Sequence, residues 1–392
     1  MKKIFIPIII GLVAFKGIAQ DNIEDLNPIT TGVPFILIGA DPRSGGMGDI
    51  GVVTSADAFS QQWNPAKYAF SLSKQGVGVT YTPYLNKLVN DMFLGNLTYY
   101  NRLNERSAVA ASLRYFSAGK ITLRQTPEEV GLDVKPNELL FDVSYSLRLS
   151  DRFAMAVAGR YIRSDLQIIG VEGDATAANT FAVDVAGYYQ SEEIPFNDFD
   201  GRWRLGFNFS NIGPKLKYDQ GGSESSLPTN MALGGGFDFI LDEYNKIGVS
   251  AQVNKLLVPT RQDPDIDGDG TITSEERAQT NQDYDDISFF SGIFKSFGDA
   301  PGGFSEELKE YTWALGAEYW YQDVFALRGG YFNESDMKGG RKFATFGAGF
   351  RYTAINIDIS YLFSTSKLAN SPLDGTLRFG LTFNFGDTYD EY

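Results

Sequence analysis

The sequence predicts an all-β protein: a fourteen-stranded antiparallel transmembrane β-barrel with an N-terminal plug segment. Three observations predict it. Aromatic residues make up 14% of the chain and glycine accounts for 42 of 392 residues, yet mean hydropathy is modest. Past the N-terminus no segment carries the roughly 18 consecutive apolar residues that a spanning helix needs. Segments of about ten residues alternate apolar and polar side chains, and only every second residue of a membrane strand faces lipid.

The N-terminus comes first. Lys2 and Lys3 precede an apolar run from Ile4 to Phe15, and Gly17 and Ala19 are small residues at −3 and −1 of a cleavage site. This pattern is a secretory signal peptide over 1–19. Removing Lys2, Lys3 and Lys16 moves the formal charge from −15 to −18. Such acidity argues against nucleic acid as a partner, which calls for a basic patch. The chain has no Cys and no His, so disulfides, a cysteine-linked lipid anchor and the usual zinc ligands are excluded. The commonest general base and the thiol nucleophile are missing as well, and no enzyme is expected.

The strands follow in order. The last is the clearest: Leu377, Phe379, Leu381, Phe383 and Phe385 alternate with Arg378, Gly380, Thr382 and Asn384. Ile355, Ile357, Ile359, Tyr361 and Phe363 repeat the pattern before it, as do Trp313, Leu315, Ala317 and Tyr319, Trp203 to Phe209, and Phe141 to Leu149. Strands are expected near 76–84, 92–101, 107–118, 138–149, 153–164, 180–190, 202–212, 229–240, 246–258, 310–321, 324–333, 342–352, 355–364 and 376–385. Connections between them alternate short and long. The short ones include 150–152, 242–245, 322–323 and 353–354, and the long ones 119–137, 165–179, 213–228 and 259–309. Barrels of the outer membrane have short periplasmic turns and long external loops. An even strand number then puts both termini in the periplasm, with 386–392 as a periplasmic tail. The segment 191–201 is the one long connection on the turn side. Tyr81, Tyr84, Tyr99, Tyr100, Tyr188, Tyr189, Trp203, Trp320 and Tyr321 lie near strand ends and read as headgroup-level girdles.

The inward face carries small residues (Ala154, Ala156, Ala158, Gly206, Gly316, Gly347, Gly349, Gly380) and charges of both signs. Arg148, Arg160, Arg204, Arg351 and Arg378 stand against Asp142, Asp184, Glu318 and Asp358. Small side chains leave room, and mixed charge predicts ion-paired packing against a plug. The plug candidate is 20–75, ahead of a barrel over 76–385. Its glycines allow close backbone approach, Asp57 to Gln62 could open a short helix, and Asn64-Pro65 would end it.

Arg43, Gly46-Met47-Gly48, Asp57 and Trp63-Asn64-Pro65-Ala66, set ahead of fourteen strands, resemble the PorV family of the type IX secretion system of Bacteroidetes. That family is a branch of the FadL-like long-chain fatty-acid transporter barrels, and Asn-Pro-Ala is shared with the wider group. The resemblance covers essentially the whole chain after the signal. It implies a non-catalytic outer-membrane role in a Gram-negative cell. It implies binding secreted cargo through a C-terminal sorting domain at a giant SprA-like translocon barrel, and delivery to a PorU-like surface attachment complex. It transfers no cargo-contacting residue. The other reading is a transporter of hydrophobic small molecules, which needs a continuous apolar path.

The 259–309 connection holds a twelve-residue calcium pattern. Asp265, Asp267 and Asp269 occupy positions 1, 3 and 5, and Gly270 the sharp turn. Thr271 and Thr273 supply oxygens at 7 and 9, and Glu276 the bidentate carboxylate at 12. A structural Ca2+ ordering this connection is expected. The same connection carries Phe289, Phe290, Ile293, Phe294, Phe297 and Phe304. Apolar groups there mean either a partner-contact surface or a self-packed lid.

Overall fold

The computed structural model describes residues 26–85, 91–124, 131–166, 169–170, 173–174, 177–218, 224–366 and 373–389. The expected signal peptide lies outside the described residues. Fourteen long strands run antiparallel: β1 Ser73–Pro83, β2 Phe93–Arg102, β3 Ser107–Ser117, β4 Asn137–Ser150, β5 Phe153–Asp165, β6 Ala178–Gln190 and β7 Asp200–Ile212. They continue as β8 Asn230–Ile240, β9 Asn245–Leu256, β10 Tyr311–Tyr321, β11 Phe325–Asn333, β12 Lys342–Tyr352, β13 Ile355–Ser364 and β14 Leu377–Thr388. Each pairs with the next in sequence, and β1 pairs with β14 from Gln75↔Phe385 to Tyr81↔Phe379. That last ladder closes the sheet, so no edge strand is left with unpaired backbone groups in hydrocarbon.

The strand positions agree with the alternation to within three residues. Two boundaries shift at the ends of the barrel. The first strand starts at Ser73 inside the expected plug range, and the last runs to Thr388 inside the expected tail. No described helix is long and apolar enough to cross a membrane. The segment 191–199 folds back as a two-residue strand, Ile194–Pro195, on the end of β7. Phe196 and Phe199 stack there, centroids 4.9 Å apart, beside Phe237 and Phe239. This aromatic packing holds the one long connection of the turn side against the end of the barrel wall.

The two faces divide as the alternation requires. Phe379, Phe383, Ile357, Phe346, Leu315 and Leu205 are exposed on the outer wall, while Arg378, Ser360, Thr345, Ala314 and Arg204 are buried in the lumen. The girdle expectation needs correction. Tyr100 and Tyr188 are buried, and Tyr84 lines the lumen cavity. Trp320 lies on the inner side under the guanidinium of Arg351, 4.7 Å from its centroid. Successive strand side chains point to opposite faces. In Tyr99-Tyr100, Tyr188-Tyr189 and Trp320-Tyr321 only one of the two can therefore meet the headgroups.

Candidate functional site

The segment from Val33 to Ser71 packs against inward-facing side chains of strands around the ring. It opens with a 3-10 turn over Pro34–Leu37, and a single α-helical turn, α1 Pro42–Gly45, follows. Asp41 caps that turn by accepting from the N–H groups of Arg43 (2.8 Å) and Ser44 (3.1 Å), and Pro42 holds the first helical position. The turn aims Arg43 at Glu318 of β10. Nε and Nη2 of Arg43 donate to the two carboxylate oxygens at 3.0 and 2.7 Å, and Nη1 donates to Asp57 at 3.1 Å. Glu318 also accepts from Arg328 Nε at 2.6 Å, and Arg328 Nη1 donates to Asp358 at 2.7 Å. Arg43, Arg328, Glu318 and Asp358 are all largely buried, in a chain of fork-shaped, charge-assisted bonds.

Gly46-Met47-Gly48 follows. Gly46 rests on the Gly347 backbone and Gly48 (φ 74°) on the Tyr331 backbone. The Gly48 N–H donates to Thr345 Oγ1 at 2.9 Å. Met47 buries among Ile50, Val52, Ala314 and Phe332. Gly316 and Gly330 of the wall are the complement, since a Cβ on Gly330 would overlap the Met47 backbone. The small inward residues of the wall are thus the contact surface for this segment.

The Trp-Asn-Pro-Ala motif works the same way on the opposite wall. α2 Ser60–Trp63 is shorter than the 57–62 helix expected. The carboxylate of Asp57 takes the Phe59 N–H and the Ser60 hydroxyl instead of entering the helix. Trp63 Nε1 donates to Asp41 at 3.2 Å, and its ring covers Gly51. Asn64 Nδ2 donates to the carbonyls of Val52 (2.9 Å) and Gly187 of β6 (3.0 Å). Asn64 Oδ1 accepts from the Ala66 N–H at 3.1 Å, which caps a 3-10 turn over Pro65–Phe70. Asn64 is extended (φ −163°, ψ 95°), so α2 ends there as expected, and Pro65 opens a separate 3-10 turn. Ala66 and Ala69 then sit against Ala154, Ala156 and Ala186.

Sequence reasoning missed several fasteners. Gln252 Oε1 accepts from the Gly51 and Val52 N–H groups, both at 3.1 Å. Lys67 is fully buried with its Nζ on Gly51 O and Thr54 Oγ1, both at 2.8 Å. Strand alternation puts Gln252 on the inner face, so the signal existed for it. None existed for Lys67, whose partners come from a non-repetitive turn. Arg160 pairs with Asp184 and Arg204 with Asp238 across neighbouring strands. Between this segment and the rim with the long connections lies a cavity of about 630 Å3. Phe35, Trp63, Phe116, Phe332, Phe343 and Leu362 line it together with Asp49, Glu138, Arg160, Arg341 and Arg378.

The connection between β9 and β10 is not plain loop. It contains α3 Ser274–Asp285, α4 Phe289–Lys295 and α5 Phe304–Lys309. The carboxylates of Asp265, Asp267 and Asp269 converge, with a ligand oxygen from each within 4.8 Å of the others. Gly268 (φ 73°) and Gly270 (φ 78°) supply the left-handed turns that make them converge. Gly270 N–H donates to Asp265 at 3.0 Å, and Thr271 N–H to Asp269 at 2.7 Å. Glu276 folds back onto the start of the loop, accepting from Ile266 N–H at 3.1 Å and from Thr273 N–H at 2.8 Å. Thr273 and Glu276 form the capping box of α3, so positions 9 and 12 of the pattern also start the helix. Hydrogen bonds from Thr273 hold the Glu276 carboxyl below its usual range, leaving it ionised as a cation ligand must be. Of the apolar residues in this connection, Phe289, Phe290, Phe294, Phe297 and Phe304 are exposed and Ile293 is half-buried.

A family model described as Type IX secretion system protein PorV matches residues 20–263. No curated protein matches the chain. Among solved structures, a FadL homologue of Pseudomonas aeruginosa is 13% identical, covers 92% of this chain and 100% of its own, and has a TM-score of 0.47. The toluene transporter TodX of Pseudomonas putida is 11% identical, with 92% and 99% covered and a TM-score of 0.49. The monoaromatic hydrocarbon channel CymD is 13% identical, with 89% and 98% covered and a TM-score of 0.49. The fold itself rests on the strand register given above.

Proposed function

The chain belongs to the PorV family of type IX secretion system proteins, and from that premise we propose that it is a non-catalytic carrier of secreted proteins. As a closed barrel of that family it is an outer-membrane protein, and the family is not enzymatic in kind. In this reading it takes cargo bearing a C-terminal sorting domain from a giant SprA-like translocon barrel. It then delivers the cargo to a PorU-like attachment complex on the surface. The rim with the long connections faces outward, and both termini lie in the periplasm.

One observation supports a protein-handling role over passage of small molecules. The lumen is crossed by the segment Val33 to Ser71, fastened to β10, β9, β6 and β12 by buried polar contacts, including the Arg43–Glu318 fork. This segment acts as a fixed plug. A conduit for hydrophobic molecules needs a continuous apolar path, and here charged groups interrupt it. The second reading, a transporter of hydrophobic small molecules, draws on the 630 Å3 cavity, whose aromatic side walls could receive one such molecule. Purification of the tagged protein from its own membranes in a mild detergent separates the two. Co-purification of a very large barrel and of secreted cargo is expected. Bound fatty acid or hydrocarbon without any protein partner would replace the carrier by the transporter.

The 265–276 turn is proposed as a Ca2+ site. Asp265, Asp267, Asp269 and Glu276 offer carboxylates, Thr271 a carbonyl, and Thr273 an oxygen reached through water. The three converged carboxylates and the ionised Glu276 fit a hard cation. A single exposed site of this kind binds with a Kd on the order of 10⁻⁴–10⁻³ M. At about ten times the Kd, calcium stabilises the connection by roughly 1.4 kcal/mol. The expected result is slower tryptic cleavage at Arg277 in millimolar calcium than in chelator. Asp265→Asn and Glu276→Gln should each abolish the difference. Equal cleavage rates in the parent protein would remove calcium from the account.

A further inference from the structure

The helices α4 and α5 are built with their polarity reversed. α4 turns Gly292 and Ser296 inward; Gly292 packs on Pro259, and the Ser296 hydroxyl donates to Ile293 O at 2.8 Å. On its outer side Phe290 and Phe294, with Phe297 just past the helix end, form one stripe at i, i+4 and i+7, with Phe290 61% and Phe294 65% exposed. Phe290 and Phe294 touch each other, centroids 5.3 Å apart. α5 does the same. Its buried side is Glu306 and Glu307, whose carboxylates take Lys338 Nζ at 2.5 Å and Lys255 Nζ at 2.7 Å. Its free side is Phe304, 77% exposed, and Leu308. A surface helix in water shows the opposite arrangement, apolar toward the protein and polar outward.

The position of these faces says what covers them. Val253 and Lys255 of β9 share the outward side of the wall, opposite Trp313 and Tyr311 of β10 in register. Phe297 lies against Lys255, with Nζ 5.9 Å from its ring centroid. Leu308, Tyr311 and Trp313 line one groove on the outer surface, together with the polar Lys309, Asn333, Asp336 and Lys342. The apolar faces of α4 and α5 therefore stand directly above the hydrocarbon-facing belt of the barrel, with the polar groups of this groove between them at the level where headgroups lie. A helix with aromatic side chains on one face and lysines nearby is suited to the acyl-chain and headgroup boundary.

We propose that α4 and α5 are a membrane-surface anchor. The leaflet on the long-connection side of the barrel covers Phe290, Phe294, Phe297, Phe304 and Leu308. The anchor holds the β9–β10 connection flat beside the barrel mouth, and the polar α3 with its acidic turn remains in water.

The native chain has no cysteine, so single spin labels can be placed without background. The full-length protein, with Phe294→Cys or Phe304→Cys, is labelled and reconstituted in nanodiscs of phosphatidylcholine and phosphatidylglycerol. Leu315→Cys serves as the lipid standard and Ala278→Cys on α3 as the water standard. Power saturation is expected to show labels at 294 and 304 relaxed by oxygen and shielded from a water-soluble nickel chelate, as at 315. Phe290→Cys and Leu308→Cys repeat the measurement on the same faces, so one perturbed helix turn does not decide the outcome. The proposal is overturned if these labels meet the chelate as Ala278→Cys does. It is equally overturned if they become shielded only after a protein partner is added, which would make the faces a protein-docking surface.

Discussion

Replacing Arg43 by methionine lowers the unfolding free energy of the barrel by about 3–5 kcal/mol and exposes the N-terminal segment to protease. The magnitude follows from what is left behind. Glu318 loses two of its three charged hydrogen bonds, and Asp57 loses its ion pair. Both carboxylates stay in a lumen with little water, and an uncompensated buried charge is the expensive outcome. Arg43→Lys restores the charge but not the two-pronged geometry toward Glu318, so it should recover only part of the loss. Pairing Arg43→Met with Glu318→Gln should also recover part of it, since the orphaned charge is then gone, although Arg328 loses an anion in exchange. Urea unfolding in detergent micelles measures the free energy, and limited trypsin digestion at Lys67 measures release of the segment. A loss under about 1 kcal/mol with Lys67 still protected would mean that this fork does not fasten the segment.

The second large effect lies on the other face of the same wall. Phe346 sits at the middle of β12, 63% exposed and pointing to hydrocarbon. Phe346→Arg is expected to cost about 2–4 kcal/mol, because a guanidinium at the bilayer midplane must stay desolvated or drag water with it. Tyr352→Arg, on the same face at the strand end, should cost only about 0–1 kcal/mol, since the side chain there reaches the headgroups. Reversible folding into lipid vesicles measures both. Equal costs for the two would contradict a hydrocarbon belt centred on Phe346. The contrast is diagnostic because both residues are exposed aromatics of the same strand parity at different depths.

Legibility in the sequence follows the same division. Outer-wall side chains such as Phe379, Leu381 and Phe383 answer to lipid alone, so their period of two is visible without any partner. The mixed charge of the lumen was visible too, because Glu318 and Arg378 stand at inward positions of unmistakable strands. Which cation meets which anion was not visible. Arg43 reaches Glu318 across 275 positions of sequence, and Asp49 meets Arg378 across 329. The calcium pattern is a local rule, and its sharp turn forms at Gly270, the glycine the pattern demands. The helices that follow it were missed, since α4 and α5 carry their apolar residues on the side away from the protein. A reading that looks for apolar faces turned inward finds no reason for a helix there.

The chain's own sequence therefore decides the barrel, its strand number and the side of the wall each residue takes, because backbone pairing and lipid contact act with a fixed short period. Tertiary structure alone decides how the segment Val33 to Ser71 is fastened to the wall and where α4 and α5 present their phenylalanines. Those outcomes depend on groups far apart in sequence meeting in one small volume, where exclusion of water makes every unmatched charge costly and every matched one selective.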